Sequence, residues 1–305
     1  MSTIMASSVI NYLLENSERI MKSVRKVILL MLVLILAFYQ TDITQAEEIS
    51  EKETYQLSEY DYYVSVREMT FDEAEKTFRI NKHDYETVLS IENQIVKLAA
   101  MSDSELYERG MIDTQINTLR QYDGSKLEDN PQLRAVLATL SVSLIKVSSS
   151  SSTVTVRANW SWNSRPLITS TNCFETAAFR WKAYNSLGTQ ITASYNSSGS
   201  YCYVTYYNGS TAQTTQRKSI TIGNSNSHVY SQFTTDVIAG NVECWAKTGY
   251  MVVKITGSYL SKVDFGFGYN HGISSTPATI TLDSNLGFNY SNGYEMVEQS
   301  ITINI

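Results

Sequence analysis

Ten consecutive residues, TVTVRANWSW from Thr153 to Trp162, alternate without a break. Val154, Val156, Ala158, Trp160 and Trp162 take one parity, and Thr153, Thr155, Arg157, Asn159 and Ser161 take the other. A period of two places successive side chains on opposite faces of an extended chain, so this segment is a strand with one face in a core. The pattern recurs at Phe179, Trp181 and Ala183, at Ile220 and Ile222, and at Val242, Cys244 and Ala246, with turn signals at Asn208-Gly209 and Gly223-Asn224. Roughly ten short strands with no helical insert predict an antiparallel β-sandwich over residues 138–305, with an antiparallel β-barrel as the second choice.

Five serines, Ser148 to Ser152, precede this strand. A domain linker separates two kinds of structure, but Leu140 to Val147 is already strand-like, so the serines are expected to form a solvated hairpin tip. Leu140, Val142 and Leu144 keep one phase while Ile145 and Val147 switch to the other, which predicts a bulge. Trp160 and Trp162 are expected to anchor the far end of the hairpin in the core.

Upstream the physics differs. Residues 47–146 hold about 20 acidic and about 11 basic side chains, against about 7 and about 9 in residues 147–305. The acidic region, residues 47–137, carries helix punctuation. Thr70-Phe71-Asp72-Glu73 and Ser102-Asp103-Ser104-Glu105 fit capping boxes. Val88, Ile91, Ile95 and Leu98 recur at helical spacing within a helix expected over about Lys82 to Ala100. Gly110 is placed to stop a helix, Asp113 to cap the next one up to Asp123-Gly124, and Asn130-Pro131 to start another. The fold class is therefore α+β, with an N-terminal helical region followed by an all-β antiparallel sandwich.

The run MSDSELYERGMIDTQINTLRQYDG, from Met101 to Gly124, resembles a helix-glycine-helix element of uncharacterised exported proteins of Gram-positive bacteria. That resemblance implies secretion and an N-terminal helical module, and it implies no activity.

Export has its own signal. Lys22, Arg25 and Lys26 precede an apolar run from Val27 to Tyr39, and a polar segment ends in Thr44-Gln45-Ala46. This is the layout of a secretory signal peptide over residues 21–46, with cleavage expected after Ala46. The run is shorter than the ~20 residues that span a bilayer, so no stable membrane anchor is expected after cleavage. Residues 1–20 read as an extension or a mis-assigned start, since the basic end of the signal begins at Met21. Cys173, Cys202 and Cys244 are the three cysteines; they permit one disulfide in any of three pairings, or none, and small buried apolar residues are the plainer expectation.

Catalytic patterns are sparse. The sequence has no GxSxG, HExxH, CxxC, phosphate loop or EF-hand loop, so no catalytic residue, metal or cofactor is called for. No basic run marks a nucleic-acid partner. Two stretches stand out as ligand contacts. In SYCYVTYYNGS, Tyr201, Tyr203 and Tyr207 share a face opposite Cys202, Val204 and Tyr206; if the second face is core, the tyrosines form a rigid strip for a sugar ring or a protein. In SKVDFGFGYNHG, Gly266 and Gly268 leave bare backbone, and Tyr269 and His271 are placed at the mouth of a shallow groove. The leading expectation is a secreted binding or adhesion module for a glycan or protein ligand. The others are a β-hairpin pore-forming toxin built on Thr153 to Trp162 and a secreted hydrolase using the scattered carboxylates, or Cys173 with His271 as its base.

Overall fold

The computed structural model describes residues 55–305 apart from 79, 169–172, 224–225, 274–276, 283–285 and 291–293. The signal segment and its cleavage site lie outside the described residues. Strand β1 (Tyr55–Ser58) is followed by six short helices: α1 (Glu59–Arg67), α2 (Phe71–Phe78), α3 (Lys82–Leu89), α4 (Ile91–Ala99), α5 (Asp103–Glu108) and α6 (Asp113–Arg120). A 3-10 turn over Pro131–Val136 leads into the sheets. No described helix is long and apolar enough to cross a membrane.

The caps explain where the helices start. Glu73 accepts from the Thr70 amide at 2.8 Å, and the Glu73 amide donates to Thr70 Oγ1 at 3.4 Å. Ser102 and Glu105 repeat the exchange at the start of α5. Gly110 ends that element at φ +83°, where a Cβ would also meet the Trp245 indole at 2.6 Å. Two expectations change. The helix foreseen over Lys82 to Ala100 breaks at Ser90, whose hydroxyl bonds the Thr87 carbonyl at 2.8 Å, although Val88, Ile91, Ile95 and Leu98 are all buried. Asp113 is inside α6, and the Gln115 side chain instead reaches back to the Ile112 amide at 3.0 Å.

The larger sheet runs β1-β2-β3-β12-β7-β8, from β2 (Thr139–Ser149), β3 (Thr153–Trp162), β7 (Tyr201–Asn208), β8 (Thr211–Lys218) and β12 (Val242–Gly257); β6 (Ala193–Tyr195) and β11 (Asp236–Ala239) pair with the two ends of β12. The smaller sheet runs β16-β13-β4-β10-β9, from β4 (Phe174–Tyr184), β9 (Thr221–Ile222), β10 (His228–Thr234), β13 (Lys262–His271) and β16 (Tyr294–Asn304), with β5 (Gln190–Ile191) beside β4. All these pairings are antiparallel, and the sheets stay open, which makes the fold a sandwich and not a barrel. Between the sheets lies an aromatic layer in which Trp160 stacks on Phe233 at 5.8 Å and on Phe267 at 6.4 Å. Phe179, Trp181, Ala183, Cys244 and Ala246 are buried as their alternation requires, whereas Ile220 and Ile222, at and beside the two-residue edge β9, and Val242, at the first position of β12, are not.

The serine hairpin forms as expected and is tighter. Ser150 and Thr153 exchange backbone hydrogen bonds at 2.7 and 3.3 Å around Ser151 and Ser152. The carbonyls of those two serines accept from Leu260 and Gly257, which ties the tip to the end of β12. The bulge lies between Lys146 and Ser148, later than the switch at Ile145 suggested: Ile145 keeps the outward parity opposite Arg157, and both it and Val147 are exposed.

The helices and the larger sheet share one hydrophobic cluster, which runs from Tyr62 and Ile95 through Leu119 to Trp160 and Phe267. The chain from Glu51 to Ile305 is accordingly one compact unit.

Candidate functional site

Sheet register decides which side chains reach the open face of the larger sheet. Asn159 lies opposite Tyr250, Tyr250 opposite Tyr203, and Tyr203 opposite Arg217. One row along, Arg157 pairs with Val252 and Val252 with Tyr201. Cys202, Val204 and Tyr206 are buried, so the condition set by the sequence is met and Tyr201 and Tyr203 face outward, half-buried. Their rings are 5.9 Å apart, and each packs on Tyr250, at 6.0 and 5.6 Å. The Arg157 guanidinium lies 4.1 Å from the centre of the Tyr250 ring, and its Nε donates to Asn159 Oδ1 at 2.6 Å. Burial pushes the Tyr250 hydroxyl above its usual pKa and Arg157 pulls it part of the way back. The result is three phenol rings packed on one another across two neighbouring strands, Tyr201 edge to face with the other two, bounded by a cation.

Tyr207, the third residue of the foreseen strip, stands apart. It pairs with Trp245 beyond a bulge at Lys247, whose ammonium lies 5.3 Å from the Tyr207 ring. Sequence reading missed Tyr250. Extending the parity of Cys244 and Ala246 would turn position 250 inward, and the bulge at Lys247 reverses the phase so that Gly249, Met251 and Val253 are buried instead.

The second foreseen contact is corrected. Tyr269 and His271 are each 0% exposed, and neither lies at the mouth of a groove. Tyr269 packs against Trp160 at 5.5 Å in the layer between the sheets. The bare glycines of β13 are covered by a small hairpin of β14 (Ile280–Leu282) and β15 (Phe288–Tyr290): a Cβ on Gly268 would meet the Phe288 ring at 2.6 Å, and one on Gly266 the Leu286 carbonyl at 2.4 Å. The close approach that strand glycines signal is made by the chain itself.

His271 belongs instead to a buried polar junction. Its Nδ1 lies 2.6 Å from Glu175 Oε1 and its Nε2 lies 3.0 Å from the Ile168 carbonyl. Both nitrogens face acceptors, the arrangement of an imidazolium. Burial alone would lower its pKa, but Glu175 outweighs that and leaves it raised. Nearby, Glu59 accepts from the Ile168 amide at 2.6 Å and the Ala138 amide at 2.7 Å, and burial pushes its carboxyl up to about 7. Arg165 completes the region by bridging Asp236 at 2.7 Å and Glu243 at 2.9 Å. The carboxylates open to a hydrolytic reading are thus engaged: Glu175, Asp236 and Glu243 here, Asp264 with Lys262 and Thr302, and Glu298 with the Phe288 amide. The side chains of Asp283 and Glu295 lie outside the described residues. All three cysteines are buried and outside any disulfide, and burial pushes the Cys202 thiol up to about 12. Among the described residues no group of three or more His, Cys, Asp or Glu is placed to hold a metal ion.

An open cleft of about 1290 Å³ lies between α4, α5 and the β11–β12 hairpin, lined among others by Lys97, Glu105, Arg109, Arg165 and Glu243. Charges of both signs line it, and its best-placed cation, Arg165, is already bound to two carboxylates. On the tyrosine face Arg157 has no carboxylate partner among the described residues and the rings are half-open, which makes it the better candidate surface.

No family model and no curated protein matches the chain. Solved structures with partial likeness include a collagen-binding domain from a Staphylococcus aureus adhesin, at 8% identity and TM-score 0.29, covering 53% of this chain and 95% of that one. The KRT10-binding region domain of the pneumococcal serine-rich repeat protein PsrP follows at 14% identity and TM-score 0.25, covering 55% and 89%. The Clostridium perfringens NetB toxin in its membrane-inserted form has 9% identity and TM-score 0.18, covering 55% and 91%. Likeness of this degree ties the chain to none of the three.

Proposed function

We propose that the protein is an exported, non-catalytic binding or adhesion module that meets its glycan or protein ligand on the tyrosine face of the larger sheet. One observation carries this reading: Tyr201, Tyr203 and Tyr250 hold one another across the neighbouring strands β7 and β12, with Arg157 stacked at their edge. Tyrosine offers a large amphipathic contact with only two side-chain torsions to freeze, and rings already fixed by their neighbours lose less entropy on binding. The export signal of residues 21–46 supports an extracellular place for this encounter. The test is a glycan array and a screen of extracellular proteins with the intact chain, beside Tyr201→Ala and Tyr203→Ala. Ligand capture that both substitutions abolish supports the reading; capture that neither changes, or no capture at all, defeats it.

A further inference from the structure

The chain carries a net charge of −6, yet its candidate face is cationic. Strands β2, β3, β6, β7, β8 and β12 together contain a single carboxylate, Glu243, and that one is bound to Arg165 near the start of β12. On the outward parity of the same strands stand Arg157, Lys254 and Arg217, the last in register beside Tyr203. None of the three forms an ion pair with a carboxylate among the described residues. Lys254 lays its stem across Gly199, where a Cβ would meet its Cδ at 2.4 Å, so the side chain is directed by packing. Around the rings the face is floored with hydroxyl and amide groups: Asn159 and Ser143 at 3.4 Å from each other, Thr205 and Thr215 at 3.0 Å, and Ser161 opposite Thr248. From Asn159 to Arg217 the row crosses four strands, a span of about 14 Å at ordinary strand spacing.

We infer that this face binds an anionic polysaccharide, its sugar rings on Tyr201, Tyr203 and Tyr250 and its carboxylate or sulfate groups on Arg157, Arg217 and Lys254. The inference rests on the tyrosine face being the contact surface and adds the ligand's charge and class. Cations kept clear of carboxylates on an otherwise acidic molecule are complementary to a polyanion. Arginine suits planar carboxylate and sulfate groups. Many hydroxyl and amide groups beside few exposed apolar ones fit a polyhydroxylated partner better than a hydrophobic protein patch.

The experiment measures binding of the full chain to oligosaccharides of hyaluronan and polygalacturonate, to neutral galacto-oligosaccharides, to oligo(dT) and to poly-glutamate, at low and at physiological salt. The expected result is binding of an acidic oligosaccharide that weakens with salt. Arg217→Gln and Arg157→Gln should each weaken it by about tenfold, the loss that a hydrogen bond to a charged group implies, with unchanged thermal melting in Arg217→Gln. Neutral oligosaccharides bound equally well, with the arginine variants silent, would overturn the charge assignment and leave the tyrosine face standing. Oligo(dT) or poly-glutamate bound more tightly than any sugar would overturn the ligand class. Acidic sugars bound without loss in Tyr203→Ala would overturn the face itself.

Discussion

The buried junction and the tyrosine face both bring charge against aromatic rings, and they do so in opposite ways. At the junction, His271 lies 5.2 Å from the Trp162 ring, and His271, Glu175 and Glu59 are buried and answered by a counter-charge or a backbone hydrogen bond. On the tyrosine face, Arg157 lies on Tyr250, half-buried, with no carboxylate paired to it among the described residues. The same two ingredients give a structural joint where they are enclosed and a candidate contact surface where one side is left open.

The sharpest way to break this contrast is Glu59→Ala. It leaves the Ala138 and Ile168 amides without their acceptor in the interior, so urea denaturation should show a loss of about 3–5 kcal/mol. Ligand binding by the fraction still folded should be unchanged. Gly249→Ala strikes between the two places: the new Cβ would meet the Trp160 ring at 2.3 Å and the Tyr203 carbonyl at 2.7 Å. Overpacking of that kind costs about 1–3 kcal/mol, and here it should also weaken binding by displacing the strand that carries Tyr203.

Acidity separates the two places next. Glu59 and His271 are both raised in the folded state, Glu59 to about 7, and Asp236 beside them is raised too, by burial that Arg165 only partly offsets. The folded state therefore holds more protons than the unfolded one, and stability falls as pH rises from the ordinary carboxylate range through about 7. The slope is at most about 1.4 kcal/mol per pH unit for each proton. Denaturation curves across that range should show it, and Glu59→Gln should flatten it. A junction that held its carboxyl ionised would give the reverse slope.

Tyr203→Ala should cost only about 1–3 kcal/mol of stability, the size of its two lost aromatic pairs, while removing most binding. Smallest of all, Ser148→Gly and Ser149→Gly at the exposed end of β2 should change the melting temperature by little, with the hairpin still resistant to proteolysis because the tip beyond them is bonded to Gly257 and Leu260.

What could be read in the sequence was whatever depends on near neighbours. The alternation of Val154 to Trp162, the capping boxes at Thr70 and Ser102, the turn glycine at 110 and the bulge after Lys146 are all local, and the structure has each of them. Tyr201 and Tyr203 were legible because the buried parity of β7 runs unbroken through Cys202, Val204 and Tyr206. Long-range features were not. Tyr250 was hidden by a phase change at Lys247, the burial of His271 depends on a glutamate 96 residues away, and the covering of Gly266 and Gly268 is the work of a later hairpin. Nor does any run of basic residues announce the cations of the open face, which three separate strands bring together.

Strand β1 has a practical meaning for anyone cutting this chain. Tyr55 to Ser58 occupies the edge of β2 between Thr139 and Val142, so a fragment beginning near residue 138 would present bare amides and carbonyls where a four-residue stopper now sits. Unprotected edges of that kind recruit other chains. A sandwich expressed without residues 51–137 should therefore self-associate, through this edge and through the apolar face that the helices leave behind.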